Sequence, residues 1–432
     1  MQKNKRSTTA LIGFLLLSAF PGIAQKSQPS YVLRPDRVFD GTTLHTGWII
    51  VTEGPYIREC GPAGQVSVPP GAQSIPMPGM TLMPGMIEGH SHLLLHPYNE
   101  VSWNDQVLVE SEAERVVRAT VHAKRTLEAG FTTVRDLGAE GAGYADVGIK
   151  TSIEKGIIPG PRMQVAGPAI VATGSYGPKG FAPHVGPPQG AEEADGHDDL
   201  IKTVRRQIGK GVDLIKVYAD YRWGLYGEAR PTFSEAELRL IVETARNSGR
   251  GVVAHASTAE GMRRATLAGV ETIEHGDGGT AEVFALMAEK GVAFCPTLAA
   301  GDAISQYRGW QKGKEPEPER IQQKRASFAL ALQSGVRILA GGDVGVFPHG
   351  ENARELQLLV EYGMGAPAVL RAVTSENARA FHLDKTLGFI RPQYIADLIA
   401  VPGNPETDIS SLARVAWVMK NGVVVKDFSQ KK

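Results

Sequence analysis

Residues 81–92 read Thr81-Leu82-Met83-Pro84-Gly85-Met86-Ile87-Glu88-Gly89-His90-Ser91-His92, an apolar run that closes on two histidines. The span Thr81–Ile87 is predicted to be a strand, and seven more apolar strands are expected after it. They lie near Thr132–Arg135, Met163–Ala166, Leu214–Val217, Gly251–Ala254, Val270–Ile273, Val292–Cys295 and Val336–Ala340. Amphipathic helices fall between many of them. Ser111-Glu112-Ala113-Glu114 and Ser234-Glu235-Ala236-Glu237 fit the capping box that starts a helix, and Gly249 suits a helix end. Eight strands interleaved with helices predict an α/β fold of the (β/α)8 TIM-barrel type. A doubly wound sheet is the structural rival, but no G-x-G-x-x-G follows the first strand.

In such a barrel the chemistry sits at the C-terminal strand ends. The first strand ends in Gly89-His90-Ser91-His92, the fifth in His255, the sixth in His275 and the eighth in Gly341-Gly342-Asp343. His90 and His92 are two apart, so on an extended backbone both imidazoles face one side. An isolated H-x-H is weak evidence, but here strand-end placement recurs. His255, His275 and Asp343 add nitrogen and oxygen donors, a set that suits zinc or a similar divalent ion. Lys216 lies in the apolar strand Leu214–Val217, where an unpaired ammonium is rarely buried. It either reaches a buried carboxylate or the open barrel end, or is carbamylated by carbon dioxide to a carboxylate that bridges two metal ions.

The chain of 432 residues carries 46 basic and 46 acidic side chains, so no global field attracts nucleic acid or anionic lipid. With 42% hydrophobic content it can fill a large core, which excludes a disordered or disulfide-stapled protein. Lys3, Lys5 and Arg6 precede an apolar run from Ala10 to Phe20, with small residues before Gln25. This predicts a cleaved export signal over residues 1–24 and a periplasmic or secreted mature protein without a membrane anchor; a retained anchor is the alternative. Cys60 and Cys295 are expected to be unpaired, with Cys295 a buried thiol. β-Hairpin patterns occur over residues 31–60 and again at Ala396–Val401, Ala416–Met419 and Val423–Val425, where Asn421-Gly422 is a strong two-residue turn. We therefore expect an accessory β-sandwich built from both chain ends, over 29–78 and 383–428, around a barrel over 79–382.

These residues resemble the amidohydrolase superfamily, in its imidazolonepropionase-like, Xaa-Pro dipeptidase-type branch. The carrying motifs are Leu82–His92, Ile215-Lys216, Val253-Ala254-His255, Ile273-Glu274-His275-Gly276 and Gly341-Gly342-Asp343. Pro348-His349-Gly350, Asn377-Ala378-Arg379-Ala380 and Ile395–Ile399 extend the likeness over nearly the whole mature chain. The resemblance implies two divalent metal ions, with zinc expected. His90 and His92 would hold the more buried ion, carbamylated Lys216 would bridge, and His255 and His275 would hold the second. Asp343 would be a ligand and the proton shuttle beside an activated hydroxide. Homo-oligomers are common in the family.

The branch hydrolyses small amides: dipeptides, N-acyl amino acids, and aryl amides of the ochratoxin type, the group this sequence is most similar to. A Gly-Gly-His-Gly stretch common in the branch is replaced by Ala172–Gly177, with Tyr176 at the histidine position. Tyr218, two residues beyond Lys216, is a substrate-binding candidate, as are Tyr176, His349 and Arg222; packing or solvation are their ordinary alternatives. Two rival readings remain. One is a mononuclear imidazolonepropionase- or deaminase-like hydrolase of a cyclic C–N bond, against which Thr258 stands where deaminases want a Glu. The other is a non-catalytic periplasmic binding protein, which has no need of Asp343.

Overall fold

The computed structural model describes residues 29–428, and the export signal expected over 1–24 lies outside them. The chain starts with β1 (Ser30–Phe39), β2 (Leu44–Thr46), β3 (Trp48–Glu53), β4 (Tyr56–Pro62) and β5 (Gln73–Pro84). β1 pairs antiparallel with β3 and parallel with β5.

A run of parallel strands follows. β6 (Met86–Ser91), β7 (Phe131–Asp136) and β8 (Arg162–Val165) form one sheet in that order. β9 (Ile170–Val171), β10 (Glu192–Glu193) and β11 (Ile215–Tyr218) come next. Then β12 (Asp220–Arg222) and β13 (Ala229–Pro231) form a separate antiparallel hairpin. β14 (Val252–Ala256), β15 (Thr272–His275) and β16 (Ala293–Cys295) extend the sheet through β11. A few backbone bonds link the two sheets, directly or through the segment after Val336. Asp213 N donates to Val165 O (2.8 Å), Leu339 N to Phe294 O (2.8 Å), and Gly89 N to Ala340 O (3.0 Å). The segment expected as an eighth strand, Val336–Ala340, thus lies between β16 and β6 but is paired at one bridge, Phe294–Ile338.

β6, β7 and β11 are buried at every residue. Parallel strands covered by helices are expected to be continuously apolar. Glu88, Arg135 and Lys216 therefore need a specific reason to be inside. The flanking helices follow their start signals. Ser234 forms a complete capping box with Glu237, and Ser111 accepts from Glu114 N at 3.2 Å.

At the far end β17 (Leu398–Pro402) pairs antiparallel with β5, and β18 (Trp417–Lys420) and β19 (Val423–Lys426) complete an eight-stranded sheet from both chain ends. Asn421 and Gly422 have φ of 50° and 72°, the conformation a two-residue hairpin turn requires. The expected strand Thr81–Ile87 is corrected: it is two strands in two sheets. Pro84 ends β5 beside Leu398 of β17, and Met86 starts β6 beside Phe131. Only glycine fits the corner, because a Cβ on Gly85 would fall 2.2 Å from Thr132 Oγ1. Both cysteines are free, Cys295 buried and Cys60 half-buried. Among the described residues no helix is long and apolar enough to cross a membrane.

Candidate metal centre

The ends of β6, β14 and β15 and the turn after Ala340 bring the expected residues together. Three histidines have one ring nitrogen tied back into the protein. His90 Nδ1 lies 2.9 Å from Glu274 Oε2, His92 Nδ1 2.9 Å from Gly138 O, and His275 Nδ1 2.8 Å from Thr297 Oγ1. A carbonyl only accepts, so His92 donates from Nδ1 and turns Nε2 toward Asp343, where a bound cation would take the place of the Nε2 proton. The ionised Glu274 imposes the same tautomer on His90. His92 Nε2 and His90 Nε2 lie 3.2 and 3.7 Å from Asp343 Oδ1. Ligand atoms of His90, His275 and Asp343 fall within 4.8 Å of one another. The His255 ring packs 4.4 Å from that of His275, while its Nε2 lies 3.4 Å from Ser257 Oγ.

Lys216 is wholly buried, and its Nζ has no hydrogen-bond partner among the described residues. Burial pushes its ammonium pKa down. Burial also pushes the Asp343 carboxyl up, but the His90 charge and the His92 hydrogen bond outweigh it and hold the group at about 2. His275 and Asp343 both adopt positive φ, 75° and 61°, strained for side-chain-bearing residues and typical of functional sites. Imidazole lone pairs, an ionised carboxylate and an orphaned amine that carbon dioxide could convert to a carboxylate suit divalent cations.

Three buried ionisable residues that the sequence did not point to hold these candidate ligands in place. Glu274 holds His90 with one oxygen and Arg135 Nη2 (2.8 Å) with the other, while Arg135 Nε donates to Gly89 O at 2.9 Å. Glu88 accepts from His90 N (3.0 Å), Gly342 N (2.8 Å) and Asn352 Nδ2 (2.9 Å), tying the first strand end to the last turn. All three are ionisable residues inside apolar strands, the signal that singled out Lys216.

Above the histidines opens a cavity of about 930 Å³, whose walls include Tyr176, Tyr218 and Arg222. Tyr218 stacks on His255 with centroids 4.5 Å apart, and Arg222 stands exposed at the rim. His349 is not on this wall. It is buried, with Nε2 3.1 Å from Leu95 O and its ring stacked on His122 at 4.4 Å. Wall residues that the sequence did not point to include Trp103, Glu140, Tyr221, Arg308 and Arg320.

The amidohydrolase family profile matches residues 81–425. The chain belongs to the amidohydrolase family and is a hydrolase acting on amide bonds. Ochratoxinase of Aspergillus niger is 29% identical over 378 residues, 80% of this chain and 75% of that protein. A Xaa-Pro dipeptidase solved with methionine in its active site matches at TM-score 0.80 and 31% identity, covering 92% of this chain and all of the other. A prolidase complexed with N-methylphosphonate-L-proline matches at TM-score 0.79 and 29% identity, again over 92% of this chain and all of the other.

Proposed function

We propose that this protein is a binuclear metal-dependent amidohydrolase that releases an amino acid from a dipeptide, an N-acyl or an N-aroyl amino acid. The observation that carries the binuclear reading is Lys216 Nζ, buried without a hydrogen-bond partner near the histidines and Asp343. Attack of the neutral amine on carbon dioxide, with loss of one proton, yields a carbamate, which gives the buried residue the negative charge that two cations would balance. His90 and His92 would hold one ion, His255 and His275 the other, with the carbamate between them and Asp343 alongside. When bound, the ions lower the pKa of a water and polarise the scissile carbonyl.

The chain's own groups do the rest. Asp343, ionised at neutral pH, takes the proton of the attacking water and delivers it to the leaving nitrogen. Tyr218 and Tyr176 line the same space, and Arg222, Arg308 and Arg320 offer donors for a substrate carboxylate. We read the strand links as a closed (β/α)8 barrel with the two chain ends folded into a β-sandwich beside it. The mature protein is proposed to be exported, which N-terminal sequencing tests, and homo-oligomeric, which light scattering tests.

The experiment for the reaction is a screen of Xaa-Pro and Xaa-Arg dipeptides and N-aroyl-Phe amides with and without zinc, read as free amino acid. Release that depends on metal supports the reading; none from any substrate favours a binding protein. Elemental analysis near two metals per chain supports the bridged centre, and near one favours the mononuclear alternative.

A further inference from the structure

Glu140 follows β7 in the loop that also carries Gly138, the acceptor for His92. It is 3% exposed, has a positive φ of 47°, and lies on the cavity wall. Its Oε2 accepts from Trp103 Nε1 at 2.9 Å and Tyr176 OH at 2.8 Å. Both are neutral donors, and among the described residues no Lys, Arg or His forms a direct ion pair with it, although its charge is felt by Arg115 and His92. Arg115, in the same region, gives its hydrogen bonds to the carbonyls of Leu94 and Ala139 (3.0 and 3.2 Å) instead. A carboxylate this buried is costly without a compensating charge.

Aromatic rings surround it. Tyr176 packs 5.2 Å from Trp103, 4.8 Å from Tyr218 and 4.9 Å from Tyr221, and Tyr218 lies 5.7 Å from Tyr221. All four line the cavity, as does Tyr98. Aromatic faces around a carboxylate attract an organic cation, through the ring quadrupoles and the charge together. The same carboxylate repels a substrate's own carboxyl group, which the arginines on other segments of the wall would receive. Tyr218 stacks on His255, so this pocket adjoins the metal-binding residues directly.

We infer that Glu140, with Trp103, Tyr176, Tyr218 and Tyr221, forms a subsite for a cationic group of the substrate, an ammonium or guanidinium. The inference rests on the amide-hydrolase reading and names part of its substrate. Two sources supply this chemistry: the free α-amino group of a dipeptide, or a lysine or arginine side chain.

Two substrate pairs separate them in the metal-loaded enzyme. Ala-Phe against propionyl-Phe differs by the α-ammonium; hippuryl-Lys against hippuryl-norleucine differs by the side-chain ammonium. At least one cationic member is expected to have a kcat/KM tenfold or more above its neutral partner, and that pair identifies the source. Glu140→Gln should reduce that ratio tenfold or more. Ratios near one in the wild type, or a preference unchanged in the variant, would overturn the inference. A measurement independent of turnover and of the variant's folding uses the wild type alone. Calorimetry should show n-butylamine or n-butylguanidine binding at least tenfold more tightly than n-butylurea. Equal binding of all three counts against the subsite. If no amide is cleaved but the cations bind, the proposed reaction fails and the subsite stands. If amides are cleaved without cation preference and the probes bind alike, the subsite alone fails.

Discussion

Glu274 binds His90 and Arg135 at once, with Oε2 2.9 Å from His90 Nδ1 and Oε1 2.8 Å from Arg135 Nη2. This one carboxylate sets the tautomer of a histidine proposed to hold a metal ion and neutralises a buried guanidinium. Burial alone would raise its pKa; Arg135 and His90 keep it well below the ordinary carboxylate range. Glu274→Gln keeps the shape and removes the charge. Metal affinity should weaken by about 10–100-fold, as for other carboxylates that orient a ligand histidine. Stability should fall by about 3–5 kcal/mol because Arg135 is left buried and uncompensated. Competitive metal titration and urea unfolding of the metal-free protein read the two effects separately.

Lys216→Met should split function from stability in the opposite sense. An orphaned buried polar group costs on the order of 1–3 kcal/mol, and methionine fills similar space without it. The metal-free variant should unfold at the same or a higher temperature than the wild type. Its metal content should fall below two per chain and its hydrolysis should be lost. A wild-type metal content in this variant would rule out the bridging role.

Glu355 predicts a pH dependence. Burial raises its carboxyl from the ordinary value to about 8. A folded-state pKa above the unfolded one means the folded protein holds more protons between the two values. Its contribution to stability is therefore full below about 4.5 and is lost as pH rises through about 8. Over that window the wild type should lose on the order of a few kcal/mol from this group. Glu355→Gln, a neutral isostere of the protonated acid, should flatten the slope in denaturant unfolding measured at successive pH values.

Gly341 is needed for close approach. A Cβ there would fall 2.6 Å from Cys295 Sγ and 2.7 Å from His90 N. Gly341→Ala must push the turn carrying Asp343 away from β6. A loss of about 1–3 kcal/mol is expected from overpacking. Weaker metal binding should accompany it, because the clash at His90 N displaces His90; unfolding and metal titration measure both.

Much of the centre was legible because its chemistry is local. His90, His92, His255 and His275 close their strands, Asp343 follows the last glycine pair, and Lys216 interrupts an apolar run. Glu88, Arg135 and Glu274 gave the same signal and were passed over, since a buried charge reads as support only once its partner is known. Arg135 and Glu274 are 139 positions apart, and no spacing rule joins them. Glu140 was invisible for a similar reason: its burial comes from Trp103 and Tyr176, 37 and 36 positions away. The hairpin at Asn421-Gly422 was readable because two positive φ angles fix it within two residues. The break at Gly85 was not, because the strands that separate β5 from β6 are supplied by Leu398 and Phe131. His349 looked like a loop histidine at the mouth, yet it packs on His122 behind the wall.

In the proposed reaction Asp343 moves the proton of metal-dependent amide hydrolysis. The direct measurement is kcat of metal-loaded Asp343→Asn on the best amide from the screen, with metal content determined on the same sample. Metal should be retained while kcat falls by about 10²–10⁴-fold. Wild-type turnover by the metal-loaded variant would contradict it.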